Sequence, residues 1–94
     1  MQNIYRKDNI SYNYLNNYVK FSLRDNNLYL YNTIYNNSVI LEGENKYLKE
    51  FLNNLIHGID DKKLLDVLSN ISDKPTVLYE YLLQNFIIEW GLAW

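Results

Sequence analysis

The hydrophobic period of this chain changes once, and that change constrains the fold more than any other feature. From Tyr18 to Glu42, apolar and polar residues alternate, as in half-buried β-strands. After Asn45, apolar residues recur every three to four positions, as in amphipathic helices. No internal repeat divides the sequence. It therefore predicts one α+β domain in which a sheet is followed by helices.

Three strands are predicted in the alternating part, and turns containing Asn separate them. The strands run from Tyr18 to Arg24, from Leu28 to Tyr35 and from Ser38 to Glu42. The turns are Asp25-Asn26-Asn27 and Asn36-Asn37, because Asn tolerates the positive φ of a tight turn. These strands form an antiparallel meander whose third strand carries no charge before its last residue. In the second strand, one face is shared by Leu28, Leu30 and Ile34.

Three helices are predicted after the meander. The first covers residues 46–57, where Asn45 caps the start and Gly58 allows a left-handed end. Its apolar stripe is Leu48, Phe51, Leu52 and Leu55. Asp60 caps the second helix, and Asp73 caps a third helix over residues 74–85, which tolerates Pro75 in its first turn. The inward residues of the second helix are Leu64, Leu65 and Leu68. The second and third helices resemble a helix-turn-helix pair.

The two ends of the chain are assigned less structure. Residues 1–17 are an N-terminal arm or an extra strand, since Ile10, Tyr12 and Tyr14 alternate with polar residues. Residues 18–90 form the domain, which closes with a short apolar strand from Phe86 to Trp90. Residues 91–94 are a tail.

Composition narrows the possible classes of protein. The chain has 94 residues, of which 48% are hydrophobic and none is cysteine, so a disulfide scaffold is excluded. A net charge of −2 argues against nucleic acid as a partner. No apolar run is long enough to span a membrane, and the start lacks the apolar region of a secretory signal. The expected location is the cytoplasm. The many Asn and Tyr residues are explained by AT-rich codons.

The sequence offers no catalytic constellation. His57 is the only histidine, and it is placed where a cation suits a helix C-terminus. Asp60 and Asp61 open a helix, where acidic residues suit the helix dipole. No nucleophile, phosphate-binding or zinc motif is present. We therefore expect neither catalytic residues, nor a metal site, nor a cofactor.

The predicted third helix decides between two kinds of partner. A DNA-reading helix needs Lys, Arg, Asn or Gln along its exposed face, but here the only cation is Lys74 at the extreme start. The helix is instead apolar almost all round, at Val77, Leu78, Tyr79, Tyr81, Leu82, Leu83 and Phe86. The apolar residues beyond one core stripe are either half-exposed at the surface or line a groove for a peptide. Both interpretations stay open on the residues alone.

The order of elements resembles a known family. The helix pattern xxLxxFLxxLxxGxD (Leu48 to Asp60), the LLxxL second helix and the ending LxxxFIIE (Leu82 to Glu89) are similar to the RiPP recognition element, also called the PqqD-like domain. RiPPs are ribosomally made, post-translationally modified peptides. The chain is most similar to the domain that opens the cyclodehydratase partner proteins of thiazole/oxazole-modified microcin synthesis. The resemblance covers Val19 to Glu89 and implies a winged helix-turn-helix-like arrangement.

The resemblance implies a non-catalytic function. The family binds the leader segment of a precursor peptide as an extra strand and delivers it to a modifying enzyme. On this chain the pairing strand would be Ser38, Val39, Ile40, Leu41 and Glu42, and the third helix would contribute Tyr79, Leu82, Leu83 and Phe86. The alternatives are a DNA-binding winged helix and an interaction subunit that binds no precursor peptide. An exposed strand edge also allows a homodimer.

Overall fold

The computed structural model describes residues 11–92 and confirms the α+β class, with two three-stranded antiparallel sheets and three helices. In chain order the elements are β1 (Ser11–Leu15), β2 (Val19–Arg24), β3 (Asn27–Asn32), β4 (Asn37–Glu42), α1 (Asn45–His57), β5 (Ile59–Asp60), α2 (Asp61–Leu68), α3 (Pro75–Gln84) and β6 (Ile88–Leu92). Residues 1–10 of the predicted arm and residues 93–94 of the predicted tail lie outside the described residues.

The predicted meander is present as the sheet β2-β3-β4. Asp25 and Asn26 have φ of 53° and 62°, which gives the tight two-residue turn between β2 and β3. β3 is shorter than predicted, because the Asn32 side chain accepts the N–H groups of Ile34 and Tyr35 and turns the chain. Ile34 therefore lies in the loop, with 57% of its surface exposed, and does not share the buried face.

The sequence predicts one sheet, and the structure has a second, with strand order β5-β1-β6. The possible N-terminal strand is its centre: Tyr12 is paired with Asp60 in β5, and Tyr14 with Glu89 in β6. β5 has only two residues, too few to show a hydrophobic period. β6 begins at Ile88, since Phe86 has φ of 59°, and continues through Leu92 beyond the predicted end.

Two of the four predicted helix-terminal residues have the expected role. Gly58 ends α1 with φ of 96°, and a Cβ there would lie 2.5 Å from Cε1 of Tyr14. Asp60 caps α2 by accepting the Lys63 N–H at 2.8 Å.

The predicted caps at Asn45 and Asp73 are wrong. Glu44 precedes α1 without a side-chain cap bond, while Asn45 is helical and exchanges hydrogen bonds with Asn26. Lys74 precedes α3, and Pro75 occupies the first turn, where its missing N–H has no cost.

One hydrophobic core joins both sheets and the helices. α1 contacts β1, β2, β3 and α2, while α3 packs on α2 and β6. The stripe predicted for α1 is buried in full. In α2, Leu64 and Leu68 are buried as predicted, together with Val67, whereas Leu65 is only partly buried. Within residues 11–92, no helix is long and apolar enough to cross a membrane.

Candidate functional site

The outer edge of β4 carries unpaired backbone groups. The Gly43 N–H donates to the Asn26 carbonyl at 3.1 Å, which marks these two as a hydrogen-bonded pair. Because hydrogen-bonded and non-bonded pairs alternate in an antiparallel ladder, every second residue of β4 directs its N–H and C=O away from β3. These residues are Ser38, Ile40 and Glu42. Within residues 11–92, no backbone or side-chain group bonds to them.

The opposite edge of the meander, β2, is less open to another strand. Its Val19 N–H already donates to the Asn16 carbonyl at 3.0 Å. Lys20 and Arg24 also place two cations on this strand, and charged side chains discourage edge pairing. β4 has no charge until its last residue, so it is the more receptive edge.

The segments on either side of α3 lie beside opposite ends of β4. Before the helix begins, Ile71 lies beside Gly43, where its Cγ2 is 4.0 Å from the position of a Cβ. After the helix ends, the Asn85 carbonyl accepts from Nδ2 of Asn37 at 3.3 Å. The two ends of β4 therefore lie beside the segments that lead into and out of α3, while the helix itself packs mainly on α2 and β6.

Polar and aromatic contacts fix the hairpin end of this arrangement. Asn32, which is fully buried, donates from Nδ2 to the Phe86 carbonyl at 2.8 Å. The Phe86 ring stacks on Tyr35 with centroids 4.2 Å apart. Phe86 is thus held at its positive φ, and the end of α3 stays attached to the loop before β4.

An apolar stripe on α3 remains exposed. Val77, Leu78 and Tyr81 recur at helical spacing and share one flank of the helix, on the side of Lys74 at its N-terminus. Val77 is 60% exposed and Tyr81 is 46% exposed. With Ser72 and Asp73, the stripe lines a shallow cavity of about 460 Å³. We call this stripe, together with the outer edge of β4, the β4–α3 surface.

The structure places the four α3-region residues predicted from the family in different environments. Tyr79 is partly buried, and its hydroxyl bonds to Asn13 and Asp61. Leu82 is fully buried in the core, and Leu83 packs against the core while partly exposed. Phe86 is exposed in the stack with Tyr35.

The residues that sequence reasoning left out of the site are Val77, Leu78 and Tyr81. The i, i+3, i+4 and i+7 spacing from Lys74 was the available signal. It identifies a flank, but it does not say which flank the core covers.

The five predicted β4 residues divide by the alternation of the strand. Val39 and Leu41 are buried in the core, whereas Ser38, Ile40 and Glu42 are exposed. Ile40 is 58% exposed on the outer face of the sheet. There it lines a cavity of about 320 Å³ with Tyr29 and Tyr31 of the central strand. β4 therefore offers unpaired backbone along its edge and an apolar side chain beside it.

A polar network joins β1, α2 and α3 behind the candidate site. The fully buried Asn13 donates from Nδ2 to the Ile59 carbonyl at 3.1 Å and to Asp61 Oδ1 at 2.7 Å. Its Oδ1 accepts from the Tyr79 hydroxyl at 2.7 Å. Burial of the phenol raises the pKa of Tyr79, and the Asp61 carboxylate raises it further. These bonds join α3 to β1 and α2.

The polar residues considered for chemistry have structural contacts. Nδ1 of His57 lies 2.9 Å from the Asn53 carbonyl oxygen within α1. Asp60 is the cap of α2. In the part of the chain that the structure describes, no group of three or more His, Cys, Asp or Glu is arranged to hold a metal ion.

Comparison with known proteins returns no match, whether the chain is set against family models, curated proteins or solved structures. The β4–α3 surface is therefore the feature from which function is inferred.

Proposed function

We propose that this chain binds an extended peptide as an added strand on β4. The observation that carries the proposal is the row of unpaired backbone groups at Ser38, Ile40 and Glu42, on an edge that has no charge before Glu42. Main-chain pairing supplies affinity in this mode of recognition, and alternate side chains supply specificity. The peptide side chains on one face would meet the α3 stripe, and those on the other would lie beside Ile40.

The peptide is the leader segment of a ribosomally made precursor, and the chain delivers it to a separate modifying enzyme such as a cyclodehydratase. The support is the order of the elements: the meander precedes three helices, and the residue that follows the last helix, Asn85, bonds to Asn37 at the start of the third strand of that meander. In this proposal the meander and helices form a winged-helix-like unit, and the second sheet is an addition to it. The interaction takes place in the cytoplasm, where precursors are made.

Binding by strand addition needs no catalytic group on this chain. Each backbone hydrogen bond contributes about 0.5–1.5 kcal/mol net, and each buried apolar side chain of the peptide adds about 1.5–3 kcal/mol. Ordering a disordered leader costs about 2–5 kcal/mol. The edge and the α3 stripe are therefore both required for useful affinity, and the complex remains reversible.

The register gives a sharp test. Ile40→Pro removes an outward N–H and leaves the bonds between β3 and β4 intact, whereas proline at Val39 would remove an inward bond. The matched control is Phe21→Pro on β2. The Thr33 N–H donates to the Tyr18 carbonyl at 2.9 Å, so Phe21 also directs its N–H outward.

We expect Ile40→Pro to weaken binding of a fluorescently labelled leader at least tenfold in a polarisation titration, while Phe21→Pro binds like the wild type. The leader is synthesised from a precursor gene adjacent to that of this chain, and circular dichroism confirms that both variants are folded. Equal affinity of folded Ile40→Pro and wild type would contradict the edge site. Salt-sensitive binding to random duplex DNA, without leader binding, would favour the winged-helix DNA-binding alternative.

A further inference from the structure

We propose that the β4 edge also pairs with β4 of a second copy of this chain, and that this dimer and the peptide complex exclude each other. The mutual exclusion rests on the proposed function, whereas the dimer does not. A strand edge with unpaired N–H and C=O groups and no charge before its last residue is a template for another strand, whichever chain supplies it. A second copy is always present at the concentration of the protein itself.

The sequence of β4 is self-complementary in one antiparallel register. With the two-fold axis at Ile40, this residue faces the partner's Ile40, and Ser38 faces the partner's Glu42. All three outward-directed residues of each copy are then paired, so six hydrogen bonds form across the axis by the alternation derived above. The Ser38 hydroxyl can donate to the carboxylate opposite it. A register centred on Glu42 instead opposes two carboxylates, which is unfavourable.

The outer face of the sheet favours the same register. Tyr29 is the β3 neighbour of Ile40, and both side chains are exposed. Pairing across the axis joins these two residues to their equivalents in the partner. An apolar row then crosses β3 and β4 of both copies. Such cross-strand contacts are the unit of sheet stabilisation. In this row the exposed Ile40 side chain packs against an apolar side chain, the partner's Ile40.

The size of the contact makes the dimer reversible. One six-residue strand edge and one apolar row form a small interface beside the roughly 800 Å² per partner of stable complexes. Dissociation is therefore fast, and a leader peptide that pairs with the same three residues competes directly. Self-pairing covers the edge when no peptide is present. When the dimer dissociates, a peptide can bind to the same edge.

Sedimentation velocity over a concentration series tests the dimer with charge-swapped variants. We expect the sedimentation coefficient of the wild type to rise with concentration, while Ile40→Lys and Ile40→Glu each stay monomeric because like charges meet at the axis. An equimolar mixture of the two variants should associate again, because opposite charges then meet. The control Ile34→Lys, at an equally exposed position in the β3–β4 loop, should associate like the wild type.

A wild type that is monomeric throughout, or an Ile40→Lys variant that associates like it, would overturn the dimer. Adding excess synthetic leader separates this inference from the proposed function. Leader binding to a monomeric wild type would overturn the dimer and leave the function standing. A dimer that never binds the leader would leave the self-pairing and remove the function. Leader that binds without dissociating the dimer would overturn the mutual exclusion.

Discussion

Two fully buried asparagines, Asn13 and Asn32, hold the junctions on which the candidate site depends. Asn13 bonds to β5, α2 and Tyr79, and Asn32 holds the end of α3 against the loop before β4. The sequence contains so many asparagines that codon bias explains them as a group. Nothing local distinguishes the two buried ones, since their partners are remote in the chain. Side-chain networks of this kind were beyond sequence reasoning.

The Tyr79 network predicts a change in stability at alkaline pH. Burial and Asp61 raise the pKa of Tyr79 in the folded state above its ordinary value of about 10. The stabilisation is therefore fully present below about pH 10 and is lost as the pH rises through the folded-state pKa. Urea unfolding from pH 8 to 11 should show a steeper loss of stability for the wild type than for Tyr79→Phe. Parallel curves would show that Tyr79 does not contribute this linkage.

At the scale of the elements, sequence patterns correctly predicted the features that depend on residues close together in the chain. The strands of the meander, the stripe of α1, the Gly58 end and the Asp60 cap all follow from period and capping preferences. α3 is different, because it is apolar on more than one flank. Its burial is set by α2, β6 and the Asn13 network, so the sequence identified the helix but not its exposed stripe.

The exposed stripe makes a prediction for α3. Val77→Asp places a charge on the β4–α3 surface and should weaken leader binding about tenfold or more, while the fold is kept because Val77 is largely exposed. Thr76→Asp, at an exposed neighbouring position, is the matched control and should bind like the wild type. Polarisation titrations with the labelled leader measure both. Equal loss in the two variants would indicate a general charge effect and not a contact at Val77.

At the scale of the whole molecule, the second sheet is the feature that the sequence did not reveal. It joins β1, β5 and β6 from the two ends and the middle of the described chain, and one of these strands has only two residues. Pairing between segments so far apart leaves no periodic signal. In this sheet only β1 is paired on both sides, and in the meander only β3 is, so β4 keeps one free edge.

Amide hydrogen exchange followed by NMR can detect an added strand at β4 residue by residue, at a protein concentration where the wild type is monomeric. On saturation with the synthetic leader, the amides of Ser38, Ile40 and Glu42 should exchange at least tenfold more slowly. The outward amides of Phe21 and Leu23 on the opposite edge should exchange at an unchanged rate. Saturable binding that leaves the β4 amides unprotected, or that protects the β2 amides instead, would contradict strand addition at β4.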